Sequence, residues 1–338
     1  MTRAAWVLRG LLAALLGFSS EILLWTAPDT RPLFDWLVLV IAYLALSALL
    51  LELAARFRLR DLYGLLALAG IYGLLNAALL NPATAFVDFP RTFFTRAMGG
   101  HTLMGLLALA LWLRLAGGRA FRPAGWIVSA LLVAALGLVW GYWAHYAPTV
   151  FATERVTGPV ADAVTNATAA PLTTVLLLAG LFAALLLALA AALRRMDAVL
   201  PIEAFRLSRI GWGFVIVALT PVAAAQFSAG ALDGVQLTTV ALFALFCAGI
   251  IWFQKRQKGA TLLDNRTTAV PLPALAALLI VFVAAGAIGY HLPRGDVEAD
   301  PLAVIGSLLT AYGLVWLPMV AFVLGAREFN KQARAMRL

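Results

Sequence analysis

Residues 61–116 read DLYGLLALAGIYGLLNAALLNPATAFVDFPRTFFTRAMGGHTLMGLLALALWLRLA. Two apolar runs, 61–80 and 97–116, flank a short polar connection. Each run has about the 20 residues that a helix needs to cross hydrocarbon. The pattern is a membrane hairpin, and it sets the reading of the whole chain. The stretch Asn76–Gly105 also concentrates polar groups. It carries Asn76, Asn81, Asp88, Arg91, Arg96 and His101 in a chain that elsewhere keeps charge out of its apolar body.

Composition agrees with the hairpin. The 338 residues are 63% hydrophobic and 12% charged, whereas soluble domains are roughly 45–50% apolar and about 25% charged. One soluble core cannot cover that much apolar surface, so lipid is the expected solvent. Ten runs of spanning length are expected: 4–26, 33–55, 61–80, 97–116, 124–146, 171–193, 209–228, 235–254, 271–291 and 302–324. The fold class is therefore all-α, a polytopic bundle forming a single transmembrane domain over 1–338. The first run has Arg3 and Arg9 around its start, as a signal peptide would. It is read as a span because it is long, lacks a small-residue cleavage site and ends at Glu21.

The net charge of +9 does not point to nucleic acid, because the basic residues lie in short loops. Of the 25 Lys and Arg, 20 fall at the N-terminus and in loops after even-numbered runs. The other five are Arg31, Arg91, Arg96, Arg155 and Arg294. That bias predicts both termini in the cytoplasm. The composition, rich in Ala and Leu with Arg far above Lys, suggests a bacterial plasma membrane. Trp25, Trp36, Trp140, Tyr142, Trp143, Tyr146 and Tyr290 fall near outer run ends and read as interface anchors. Segment 147–170, with Pro148 and Pro159, reads as an external loop containing an interfacial helix at 159–168. Pro221 and Pro318 lie inside runs, where each removes a backbone donor.

A weak internal similarity aligns His101–Leu106 with Leu309–Leu314. It would make spans 1–4 and 7–10 parallel repeats, with halves 1–122 and 207–338 linked by 123–206. Chance alignment of Leu/Ala/Gly helices is the competing account.

Ionisable groups within spans are costly and mark candidate sites. The candidate polar site comprises Glu21, Asn76, Asp88, Arg91, Arg96, His101, His145 and Gln226, all toward the outer half. Glu21 reads either as a proton or cation site or as a structural partner of Arg91 or Arg96. The two arginines read either as an anion patch, since guanidinium offers a bidentate fork, or as charges neutralised by Asp88 and Glu21. Glu52 lies four residues before Arg56, which predicts an i,i+4 ion pair at the cytoplasmic boundary. Cys247 reads as a small buried core residue, and a lone cysteine excludes an intrachain disulfide.

No cofactor motif is present. His101 and His145, on consecutive antiparallel spans, are the one pair that a haem or metal would use. Walker A, GxGxxG, HExxH and GxSxG patterns are absent, and no metal site or catalytic residue is assigned. Gly99-Gly100 reads as a close helix contact, and the basic tail as a lipid anchor. Three functions fit. The first is a small-solute or lipid-headgroup transporter. The second is a non-catalytic membrane subunit with protein partners. The third is an outer-leaflet lipid-modifying enzyme working through Glu21, Asp88, Arg91 and His101.

Overall fold

The computed structural model describes residues 2–24, 28, 31–117, 123–155, 170–255 and 259–293, with single positions at 323, 327, 330, 331 and 334. The protein is an all-α, multi-span helix bundle. Among the described residues nine helices are long and apolar enough to cross a membrane. They follow the expected runs in order. The tenth run apart from position 323, Pro318, Trp25 and the interfacial helix at 159–168 fall outside the described residues, as does the second copy of the aligned hexapeptide.

The elements are α1 (Arg3–Gly17), α2 (Leu33–Arg56), α3 (Leu62–Leu75), the short α4 (Pro82–Ala85), α5 (Thr102–Leu115), α6 (Pro123–Arg155), α7 (Leu172–Arg194), α8 (Arg209–Ser228), α9 (Gly234–Gln254) and α10 (Leu272–Tyr290). Two-residue strands β1 (Val199–Leu200) and β2 (Arg266–Thr267) pair antiparallel. That ribbon ties two loops together at the arginine-rich end of the bundle. There Leu262 N–H also donates to Leu59 O, and Thr267 N–H to Ala116 O.

Caps explain several boundaries. Asp61 accepts from Gly64 N–H and starts α3. Ser208 does the same for α8 through Gly211. Asp233 and Gln236 form a reciprocal capping box at α9, which satisfies two donors left over at the helix start. Asn81-Pro82 ends the α3 run, because the residue before proline is pushed out of the helical region.

Helix α1 is the hub. It packs against α2, α5 and α7, while α3 packs against α5 and α9. In the first span 83% of the central window is buried, against 11% in the span containing α8. The outer helices instead expose apolar side chains, including Ile127, Leu131, Leu177, Ile216, Val217 and Leu245. Such faces suit lipid, where no water competes for them. Helices α6 and α10 approach so closely that a Cβ on Gly137 would lie 2.5 Å from Phe282 O. Small residues permit that approach.

Two expectations are corrected. Helix α6 continues to Arg155, so the segment from 147 to 155 is helix and not loop. Adding residues to a formed helix is far cheaper than nucleating one. Trp140 is no interface anchor, being only 2% exposed. Its indole N–H donates to Ile22 O at 2.7 Å, and Trp143 donates to Leu24 O at 2.7 Å. Carbonyls at a helix end need partners inside an apolar bundle, and these indoles supply them.

Candidate functional site

At three places the helical ladder widens to the π form, with one extra residue in the turn. Phe18–Leu23 continues α1, Asn76–Leu80 continues α3, and Phe93–His101 leads into α5. Weak helix formers sit in two of them, Ser19-Ser20 in the first and Gly99-Gly100 in the third. Serine side chains compete for backbone bonds and glycine loses entropy in a helix. Wide turns of this kind often accompany functional sites. Here the second and third pack on each other, and the first packs on α5 and reaches them through side-chain hydrogen bonds. They place Ser20, Glu21, Asn76 and His101 side by side.

Glu21 is the centre. Its carboxylate is fully buried. Tyr43 O–H from α2 donates to Oε1 at 2.5 Å. Asn81 Nδ2 donates to the same oxygen at 2.9 Å. The Arg31 guanidinium reaches Oε2 at 2.9 Å. These three partners are donors, which is what an ionised carboxylate requires. Arg31 is the charged member of the set and the most exposed, at 18% for its side chain. Its Nη2 also donates to Asn81 Oδ1 at 2.7 Å.

The amides extend the network inward. Asn76 Nδ2 donates to Tyr43 OH at 2.9 Å and to Tyr72 OH at 3.1 Å. Asn76 Oδ1 accepts from Asn81 Nδ2 at 2.9 Å. Tyr72 and Ser20 share a hydrogen bond of 2.6 Å, and Ser20 Oγ lies 3.4 Å from His101 Nδ1. A continuous chain of polar side chains therefore runs from buried His101 to half-buried Arg31. Gly73 lets α3 approach the π stretch before α5. A Cβ there would collide with the Thr102 hydroxyl and lie 2.5 Å from Ala97 O.

The other nominated residues take different places. Arg91 pairs with Asp88 at 2.6 Å, with both side chains well exposed. Arg96 donates to Thr84 O at 3.2 Å. The ion pair of Glu21 is with Arg31, not the suggested Arg91 or Arg96. Gln226 of α8 donates to Leu79 O at the end of the α3 π stretch. His145 packs edge-on against Tyr290, with ring centroids 4.8 Å apart. Thus Glu21, Asn76 and His101 converge, Gln226 supports the wall, and Asp88 and Arg91 form a separate surface pair. Among the described residues no group of three or more His, Cys, Asp or Glu is placed to hold a metal ion.

Ser20, Arg31, Tyr43 and Tyr72 complete the site without having been nominated, together with Asn81, which the sequence marks as a polar group at similar depth. The signal for Tyr72 was its position one turn before Asn76. Arg31 was one of the five basic residues outside the arginine-rich side. Tyr43 gave no signal, because a lone tyrosine in a leucine-rich span reads as core.

The arginine-rich end carries a second ion pair, with a buried Glu52 and an exposed Arg56. Glu52 accepts from Arg56 at 2.7 Å, as expected, and also from Leu207 N–H at 2.6 Å. Nearby Arg9 is fully buried, donates to Phe205 O at 2.9 Å and lies 4.9 Å from the Trp6 ring. Cys247 is buried, as expected. In the loop before β2, Thr261 N–H donates to Asp264 at 2.6 Å, and that bond holds the Asp264 carboxyl below its ordinary value.

No known family model, curated protein or solved structure matches this chain. Its site is read from its own chemistry.

Proposed function

We propose that this protein is a multi-pass transporter of a small solute or a lipid headgroup, with its polar site at the Glu21 end of the bundle. The observation that carries the reading is the fully buried Glu21 carboxylate, held by Tyr43, Asn81 and Arg31. Ionisable groups inside spans are expensive and line substrate or ion paths. Three wide helical turns around the carboxylate add backbone that is able to rearrange. The arginine bias assigns this end to the outside and both termini to the cytoplasm. The arginine-rich, lysine-poor composition suits a bacterial plasma membrane. The bilayer is the principal partner, and neither nucleic acid nor a resident cofactor is part of the proposal.

The test is flux. Proteoliposomes containing a pH-sensitive dye are exposed to gradients of candidate solutes. The wild-type protein should move at least one solute faster than empty liposomes, and Glu21→Gln should abolish any accompanying proton movement. A wild-type protein that is folded yet moves none of them contradicts the proposal.

One observation favours a second reading, a membrane subunit of a larger complex. The Glu21 network satisfies its own donors and acceptors, as a purely structural core would. Co-purification with a partner at fixed stoichiometry supports that reading, and a monodisperse lone protein that catalyses flux excludes it.

A further inference from the structure

The transport reading names no ligand. The geometry around Arg31 supplies a ligand class, whose role in transport rests on that reading. Glu21 Oε1 is occupied by two neutral donors, Tyr43 O–H and Asn81 Nδ2. Oε2 faces Arg31. Arg31 Nη2 bridges Oε2 at 2.9 Å and Asn81 Oδ1 at 2.7 Å. Both oxygens therefore lie within reach of one nitrogen.

We propose that the site takes up one proton with one oxyanion, the proton on Glu21 and the anion on Arg31. The exchange balances. A proton from bulk water binds Oε2, and the ion pair to Arg31 breaks. The new O–H turns to Asn81 Oδ1, the acceptor that Arg31 vacates, so the Glu21–Asn81 pair stays satisfied. Nothing else is oxidised, reduced or transferred. The guanidinium, no longer paired with Glu21, then offers N–H groups to a phosphate or carboxylate, the anions for which arginine is suited. Its place favours this, since Arg31 borders the surface while the carboxylate is sealed behind it.

A second guanidinium is bonded to the same short turn as the first. Arg31 is bonded to Asn81 and Arg96 to Thr84 O. Asn81 and Thr84 are one turn apart, joined by Thr84 N–H to Asn81 O at 3.2 Å. Two cations thus flank one short turn. Protonating Glu21 removes a negative charge from their side of the bundle, which favours an incoming anion. A phosphate from a lipid headgroup and a free oxyanion share this chemistry.

Among the described residues, the charged and titratable groups around Glu21 are Arg31, Tyr43 of α2, Tyr72 of α3 and His101 of the π stretch before α5, and Arg96 lies near His101. His101 is the network's other group able to accept a proton, so it needs its own control.

The test is equilibrium binding, separate from flux. The full chain in phosphatidylcholine nanodiscs is titrated with sulfate, a non-titrating oxyanion, and proton uptake is read by calorimetry in buffers of different ionisation enthalpy. Wild type should take up about one proton per anion, and its affinity should fall about tenfold per pH unit once Glu21 is ionised in the free protein. Glu21→Gln should bind with no proton uptake and no pH dependence. His101→Gln should keep the uptake. Arg31→Lys, which keeps charge but loses the fork, should bind about tenfold or more weakly. The double variant Glu21→Gln/Arg31→Gln leaves no buried charge unpaired and should fold but not bind. Phosphatidylglycerol in the nanodiscs separates the sources. Competition with sulfate assigns a headgroup, and its absence assigns a soluble anion.

Proton uptake that persists in Glu21→Gln, binding that persists in the double variant, or a wild type that binds neither anion overturns the proposal. Anion-linked proton uptake without flux leaves this inference standing and removes the transport reading. Flux without linked uptake does the reverse.

Discussion

Glu21 shows how one buried charge sets the demands on its neighbours. Removing a partner from a buried ion pair strands the other charge. Arg31→Ala should therefore cost about 3 kcal/mol or more in unfolding measurements in detergent. Tyr43→Phe removes one donor from the carboxylate and should cost roughly 1–3 kcal/mol. Arg91→Ala, at the exposed Asp88 pair, should change stability by less than about 1 kcal/mol. Equal effects from Arg31 and Arg91 would contradict this account. Asp264 gives a pH dependence outside the spans. Its folded carboxyl is held low by Thr261 N–H. That contribution is complete above the ordinary carboxylate range, about pH 4, and disappears as pH falls through the lowered folded value. Thr261 amide exchange, corrected for intrinsic rate, should lose protection over that acid interval, and Asp264→Ala should remove the dependence. At this scale the sequence was partly legible. Glu21, Asn76 and His101 stand out because charge and amides are rare in spans. Tyr43 and Tyr72 do not, because tyrosine is at home both in a core and at an interface, and only their hydroxyl partners distinguish the two.

Spans and their order are legible in hydropathy because lipid thickness fixes their length. The π turns are not. Leucine and alanine occur on every face of these helices, so an extra residue in a turn leaves no break in the apolar pattern. Yet those turns assemble the site. The glycines beside them test the packing. A Cβ on Gly73 would meet the Thr102 hydroxyl and Ala97 O. Gly73→Ala should destabilise the protein by ~1–3 kcal/mol. Adding Thr102→Ala should not restore it, because the Ala97 carbonyl remains 2.5 Å from the new carbon. Full rescue would place the conflict in the side chain alone. Trp140 carries the same lesson. Its position near a span end suggested the membrane surface, whereas its indole serves a carbonyl of the α1 π stretch.

For the whole molecule, the arginine count predicts sides and the exposed apolar faces suit lipid. Neither tells which helices form the core. Helices α1, α2, α3 and α5 do so, and α1 is central although its hydropathy is lower than that of peripheral α7. Sidedness is open to direct measurement. Cys247 is buried and can be replaced by alanine to give a clean background. A cysteine at Arg91, on the Glu21 end, should react with an impermeant maleimide in right-side-out vesicles. One at Arg194, at the end of α7, should react only after permeabilisation. The opposite labelling would reverse the orientation and turn the site toward the cytoplasm.

The central claim is that Glu21 is an exchangeable carboxylate and not a fixed strut. Difference infrared spectroscopy of the nanodisc-embedded protein, with and without sulfate, reads that carboxyl directly. A protonated-carboxyl carbonyl band should appear on anion binding in wild type and be missing in Glu21→Gln. A wild-type spectrum without that band while sulfate binds, or the same band in both proteins, would contradict the account.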